Sequence, residues 1–172
     1  SMERVRIGMI GSQFAARLHL QSLAKLRGVK AEVVAVASPN VEHAAACAAA
    51  FAIPEHCGDY RRLLERRDID CVDLCIPTDL HAAFSVEAAQ AGKHIICEKP
   101  LTGYFGKERP EELVGFAVSR ETMLKESLTD CDRVVAAVKA SGVRFLYAEN
   151  WIYAPPISKL KRLIKASGGA VM

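Results

Sequence analysis

Ala91-Gly92-Lys93-His94-Ile95-Ile96-Cys97-Glu98-Lys99-Pro100 is the stretch on which the reading of this chain turns. Gly92 stands where a helix closes. His94–Cys97 then makes a short apolar strand that runs straight into an acid, a base and a proline. In a parallel sheet, ligands bind beyond the carboxyl ends of the strands. Pro100 fixes its own φ and biases Lys99 toward an extended backbone, so the turn can aim one amine from a rigid edge into a crevice. The same residues also fit a solvated Glu98–Lys99 pair after a buried strand. The rest of the chain decides between the two.

Outward from this stretch, strand and helix patterns alternate. Strands are predicted at Val5–Ile10, Ala31–Ala37, His56–Cys57, Val72–Ile76 and His94–Cys97. Between them lie helices at Phe14–Leu26, with Leu18, Leu23 and Leu26 on the buried side, and at Val41–Phe51, Tyr60–Arg67 and Leu80–Ala91. This order implies an α/β fold with a parallel sheet covered by helices on both faces. The pattern breaks over Thr102–Glu126, which has weak periodicity, three glycines and one proline. That segment, about 103–126, reads as an insertion with a short helix at Pro110–Val118. Regularity returns with a helix near Thr129–Ala140, a strand at Arg144–Ala148 and a helix opened by Pro155-Pro156 that runs to about Ala166. Residues 1–167 are thus expected to form one domain. Residues 168–172, ending in Ala170-Val171-Met172, read as the start of a second, otherwise missing one. Ser1 before Met2 reads as the scar of a removed tag.

Composition narrows the function classes. The 172 residues are 51% apolar and 25% charged, which fits a globular core of one domain. The net charge of +3 is small. The densest basic stretch, Lys159, Lys161, Arg162 and Lys165, reads as the wet face of a helix backed by Leu160, Leu163 and Ile164. Neither a nucleic-acid nor a membrane partner is expected. The six cysteines include no Cys-x-x-Cys, and several sit in apolar runs. They read as small hydrophobes in a reducing, cytoplasmic compartment, with neither metal nor disulfide.

The first strand runs out into Ile10-Gly11-Ser12-Gln13-Phe14-Ala15-Ala16. A dinucleotide fold has Gly-x-Gly-x-x-Gly/Ala here, with a helix N-terminus facing the pyrophosphate. Gly11 can make the tight turn, and Ala16 is small enough for close helix–strand packing. Gln13 replaces the middle glycine, so its side chain must point away or cap the ligand with its amide. The same residues also fit an ordinary βα turn; if they hold a nucleotide, Gly11, Ser12, Gln13, Phe14 and Ala15 are the expected cofactor contacts. The second strand ends in Ala37-Ser38-Pro39-Asn40, without the acid that accepts from ribose hydroxyls in NAD-preferring folds. Ser38 and Asn40 can serve a 2′-hydroxyl or a 2′-phosphate. A dinucleotide held here would be NAD or NADP, and the missing carboxylate favours NADP slightly. A plain helix entry with an N-cap explains Ser38-Pro39-Asn40 equally well.

Ile76-Pro77-Thr78-Asp79-Leu80-His81, Ala91-Gly92-Lys93-His94 and Glu98-Lys99-Pro100, in this order and spacing, resemble the glucose-fructose oxidoreductase / inositol dehydrogenase / rhizopine-catabolism (Gfo/Idh/MocA) family. His19 and Asp68-Ile69-Asp70-Cys71-Val72-Asp73 share the resemblance. It implies an N-terminal Rossmann-type doubly wound domain that binds a nicotinamide dinucleotide, and a C-terminal domain that supplies most substrate contacts and the homo-oligomer interface. It further implies oxidation of a sugar or cyclitol hydroxyl, or reduction of the matching ketone. By the same resemblance, Lys99 is the catalytic lysine and Glu98 an acid near the nicotinamide ribose. Pro77, Thr78 and His81 line the cofactor crevice.

The chain departs from the family at Ala148-Glu149-Asn150-Trp151-Ile152-Tyr153, where Ile152 replaces an arginine; Trp151 and Tyr153 line the substrate pocket or simply pack. The family's Asp-x-x-x-His acid/base pair lies beyond the last residue. The chain by itself is therefore expected to bind cofactor without turnover. A non-catalytic nucleotide-sensing module is the alternative, favoured by Gln13 and disfavoured by Glu98-Lys99-Pro100.

Overall fold

The protein is described by a computed structural model covering residues 4–106 and 114–169. The strands are β1 (Arg4–Ile10), β2 (Lys30–Ala37), β3 (Glu55–Cys57), β4 (Cys71–Leu74), β5 (His94–Glu98) and β6 (Phe145–Ala148). The helices are α1 (Phe14–Leu23), α2 (Val41–Phe51), α3 (Arg61–Leu64), α4 (Thr78–Gln90), α5 (Val114–Ala117), α6 (Arg120–Ser141) and α7 (Pro155–Ala166), with a 3-10 turn at Trp151–Tyr153.

The strands form one sheet in the order β3-β2-β1-β4-β5-β6, and every pairing is parallel. This is the doubly wound Rossmann arrangement, whose order reverses between β1 and β4. Side chains alternate along each strand, so the sheet carries a core on each face. On one face Met9 and Val36 meet Ala16 and Leu20 of α1 and Cys47 and Ala48 of α2. On the other, Ile10, Val72, Leu74, Ile95 and Cys97 join Leu63, Leu64, Ala88 and Ala89. The alanines of α2 and α4 let helix backbones sit close to the sheet.

Several expected boundaries shift, each for a local reason. α1 stops at Leu23, because Lys25 and Leu26 N–H groups bond three residues back to Ser22 and Leu23 in a tightening last turn. Its buried face is Ala16 and Leu20, whereas Leu18 and Leu26 are exposed and Leu23 is half-buried. The helix expected over Tyr60–Arg67 is only the four-residue α3. The one expected at Leu80 starts at Thr78, directly after Pro77 (ψ 142°), with Asp79 favourably placed in its first turn.

The largest difference concerns the segment read as an insertion. Ser119 Oγ accepts a hydrogen bond from Thr122 N at 3.1 Å and caps α6, with Glu121 in the first turn. The helix expected near Thr129 therefore begins at Arg120 and absorbs the end of that segment. Within 103–126, the helix expected over Pro110–Val118 is seen as α5 alone, and its earlier part lies outside the described residues. So does the strand expected at Ala170–Met172. α7 forms as expected, but Leu160, Leu163 and Ile164 stay exposed rather than backing onto a core.

Candidate functional site

The exits of β1, β2 and β4 converge on Gly11. Its N–H donates to Ala37 O at 2.8 Å, and the Cys75 N–H donates to Ile10 O at 2.8 Å. Gly11 has φ +108°, and a Cβ there would lie 2.1 Å from the Cys75 carbonyl oxygen. Only glycine fits both demands. The close approach brings the N-terminus of α1 to the mouth of a crevice of about 750 Å³. Gln13 precedes that helix without a side-chain cap, so the first-turn N–H groups have no partner within the helix. Ser12 Oγ is buried with no hydrogen-bond partner. A buried hydroxyl of this kind is costly unless something accepts from it or donates to it. A tight glycine turn, an orphaned hydroxyl and an uncapped helix N-terminus fit the pyrophosphate of a dinucleotide.

Gly11, Ser12, Gln13, Phe14, Ala15, Ser38 and Pro77 all line this crevice. Gln13 does turn its side chain aside: its Nε2 donates to His43 Nδ1 at 2.8 Å. Asn40, Thr78, His81, Glu98 and Lys99 are not among the crevice residues. Asn40 caps α2, its Oδ1 accepting from His43 N at 3.1 Å. His81 is buried, its ring nitrogens 2.7 Å from Pro100 O and 3.0 Å from Ile76 O. It ties the exit of β4 to the exit of β5.

Sequence reasoning missed the far wall of the crevice. Tyr60 and Phe84 stack there with ring centroids 3.9 Å apart. The Tyr60 hydroxyl donates to Glu87 Oε2 at 2.6 Å. Burial, then the Glu87 carboxylate, push that phenol up to about 12. The two rings are far apart in sequence and belong to no motif, so only the fold brings them together.

A second cluster lies on the α1 face of the sheet. His19 Nδ1 is 2.9 Å from Asp73 Oδ2, and His19 Nε2 is 2.9 Å from Glu98 Oε1. Asp73 is fully buried on β4. Hydrogen bonding to Asp73, reinforced by Glu98, raises the imidazole to about 9. The other Glu98 oxygen accepts from the Lys99 backbone N–H at 2.9 Å. The Glu98–Lys99 ion pair that the sequence also allows does not form; the carboxylate takes His19 and the Lys99 main chain instead. Lys99 itself is exposed.

Cys75 Sγ lies 3.5 Å from His19 Nδ1, and burial and Asp73 push its thiol up. The donor atoms of His19, Asp73 and Cys75 fall within 4.8 Å of one another. The sequence pattern, without Cys-x-x-Cys spacing, gave no sign of such a cluster. All six cysteines are free thiols. Beside the His19 cluster is a cavity of about 320 Å³, lined in part by Tyr147, Glu149, Asn150 and Tyr153. Of the two aromatics expected at a substrate pocket, Tyr153 borders this cavity and Trp151 does not. Among the described residues, no helix is long and apolar enough to cross a membrane.

The comparisons with known proteins agree with this geometry. Residues 5–124 match the model of the Gfo/Idh/MocA oxidoreductase family, described as an NAD-binding Rossmann fold. The chain is 40% identical over 124 residues to a dTDP-3,4-didehydro-2,6-dideoxy-alpha-D-glucose 3-reductase of Saccharopolyspora spinosa, covering 72% of this chain and 36% of that one. It is 29% identical over 163 residues to an uncharacterized oxidoreductase of Bacillus subtilis, covering 95% and 40%. The structure of a levoglucosan dehydrogenase in complex with NADH superposes with a TM-score of 0.76 at 26% identity, covering 95% and 40%. The chain spans 27–40% of the length of these and the other curated relatives.

Proposed function

The chain belongs to the Gfo/Idh/MocA family of oxidoreductases with an NAD-binding Rossmann fold, and from that premise we propose that it is the cofactor-binding part of an enzyme acting on a sugar- or cyclitol-like alcohol or ketone. The observation that carries the reading is the crevice at the strand-order reversal. There Gly11 makes an approach that no other residue fits, and the Ser12 hydroxyl is left without a partner.

In this reading Ser12 and the N–H groups opening α1 hold the pyrophosphate. Ser38 faces the adenosine ribose, and the stacked Tyr60 and Phe84 supply an apolar wall. The nicotinamide, when bound, gives or takes the hydride. The Lys99 ammonium hydrogen-bonds the reacting oxygen and stabilises negative charge as it develops there. Glu98, His81, Pro77 and Thr78 set the two strand exits from which that amine is presented. Tyr153 contributes on the substrate side.

The absence of a carboxylate directly after β2 favours NADP; the acid that does line the crevice, Asp59, follows β3. Arg61, the arginine among the crevice residues, is engaged by Glu87 at 3.1 Å. The sugar class is supported by the names of the sugar-nucleotide reductase and levoglucosan dehydrogenase relatives. A longer protein with a substrate domain would be a homo-oligomer and would turn over; this chain alone would bind cofactor with little turnover.

Fluorescence titration with NADH and NADPH tests the reading. Saturable binding of at least one is expected, tighter for NADPH. Binding of neither would overturn the proposal, and clearly tighter NADH would reverse the choice of cofactor. In a form carrying the substrate domain, Lys99→Ala is expected to lower kcat by about 100-fold or more, the scale of a lost charge-stabilising donor.

A further inference from the structure

His19 belongs to neither the phosphate turn nor the lysine turn, yet it is bonded toward both strands that bear the second cluster. It projects from the middle of α1 onto the sheet between β4 and β5. We propose that His19 is a positioning residue for Lys99: it clamps the Glu98 carboxylate against buried Asp73, and Glu98 in turn holds the Lys99 main chain.

Each link is a hydrogen bond of ordinary length. Asp73 Oδ2 to His19 Nδ1 is 2.9 Å, His19 Nε2 to Glu98 Oε1 is 2.9 Å, and Lys99 N to Glu98 Oε2 is 2.9 Å. A carboxylate can only accept, so both ring nitrogens must donate for both contacts to hold. The doubly protonated imidazole is the form that satisfies this geometry. Its single positive charge sits between two negative ones in a site where His19 keeps only 16% of its side-chain exposure. Asp73 is 1% exposed and meets no other cation in a salt bridge among the described residues. Without the imidazolium it would be a buried, unpaired charge.

The remaining polar groups near the ring do not replace it. The Cys75 thiol, at 3.5 Å from Nδ1, is a weak partner. Tyr147 and Glu149 of the β6 side border the same cavity, and Glu149 Oε1 already accepts from Trp151 N at 2.9 Å. When His19 loses its proton, one of its nitrogens turns a lone pair on a carboxylate oxygen. The clamp then opens at either Asp73 or Glu98. Glu98 is the freer end, being 18% exposed against 1% for Asp73. The turn that aims Lys99 therefore loosens first. The Lys99 main chain is thus held at the end of β5 at neutral pH and released in alkali.

The consequence for cofactor binding rests on the reading of Lys99 given above, whereas the clamp can be observed without it. Two-dimensional NMR of the intact chain would follow the His19 ring and the Lys99 backbone amide from pH 6 to 10. The ring is expected to titrate near pH 9, with the Lys99 amide shift moving along the same curve. In Glu98→Gln, which removes one of the two carboxylates, the ring midpoint falls toward the ordinary value and the Lys99 amide no longer follows it. In parallel, NADH and NADPH affinities of the native chain are expected to weaken about tenfold across the same transition, while His19→Gln starts weakened and stays flat.

A His19 ring that titrates at its ordinary value overturns the clamp, as does a Lys99 amide indifferent to it. If the clamp titrates as described but neither cofactor binds at any pH, the positioning stands and the cofactor reading fails. The native titration needs no variant, so it decides the matter even where His19→Gln misfolds.

Discussion

Gly11 sits under the tightest constraint in the site. A Cβ would lie 2.1 Å from the Cys75 oxygen, and φ +108° is strained for any L side chain. Backbone must move at both strand exits to admit one methyl group. Gly11→Ala is expected to cost about 2 kcal/mol or more and to abolish cofactor binding, as urea unfolding and a nucleotide titration would show. His19 gives a second residue-scale expectation, this time for stability. Its folded value of about 9 lies above the ordinary 6.5, so the folded state binds the proton more tightly. That contribution is complete below about pH 6.5 and is lost as pH rises through about 9. Allowing for its partial contact with solvent, it is about 1–2 kcal/mol. Urea midpoints of the native chain and of His19→Gln should therefore differ at pH 6 and converge by pH 10.

These two residues also show what the sequence can disclose. Gly11 is legible because the demand on it is local: a strand, a turn and a helix follow one another along the chain. His19 is only a resemblance in the sequence, because its partners are 54 and 79 residues away. Asn40 and His81 fall between. Each stands at the expected strand exit, but there the side chain is used for capping or bracing rather than for lining the crevice.

At the scale of elements, α6 is the most informative. Its first two turns carry little apolar periodicity, and Val134 is the buried residue along its length. Pattern reading therefore starts the helix late, near Thr129, closer to buried Val134. Capping by Ser119 starts it earlier. Ser119→Ala is expected to cost about 1 kcal/mol and to fray α6 from its first residue, a loss readable in urea midpoints and in amide shifts of the 120s. Lys93 shows the converse, a charged residue that behaves as an internal brace. It is buried after α4, and its ammonium donates to the carbonyls of Arg66 and Ile69. Burial lowers its affinity for the proton, and the nearby Asp70 carboxylate opposes that shift. Lys93→Met would leave both carbonyls without this donor and is expected to destabilise by about 1–3 kcal/mol in the same assay.

For the molecule as a whole, the fold is legible because a parallel sheet repeats one unit and each repeat carries its own signal. What escapes the sequence is which surfaces stay open. Ile157, Leu160, Leu163 and Ile164 give α7 an apolar face that no described element covers, next to exposed Trp151, Ile152 and Tyr153. A patch of this kind favours association. Light scattering is expected to show concentration-dependent self-association that Leu160→Glu combined with Ile164→Glu abolishes. A monomer at every concentration would refute that expectation.

The strand order also sets a gradient in time. β1 lies between two neighbours, whereas among the described residues β6 bonds to β5 alone. Backbone protons of β1 and β4 should exchange with solvent only when the entire molecule unfolds, and those of β6 through brief local openings. Lys99 follows the strand that separates these regimes. Its main chain is tied through Glu98 and His19 to slow β4, while the strand beside it belongs to the quick edge. The amine can thus hold its aim on one side while the ground opposite shifts many times over.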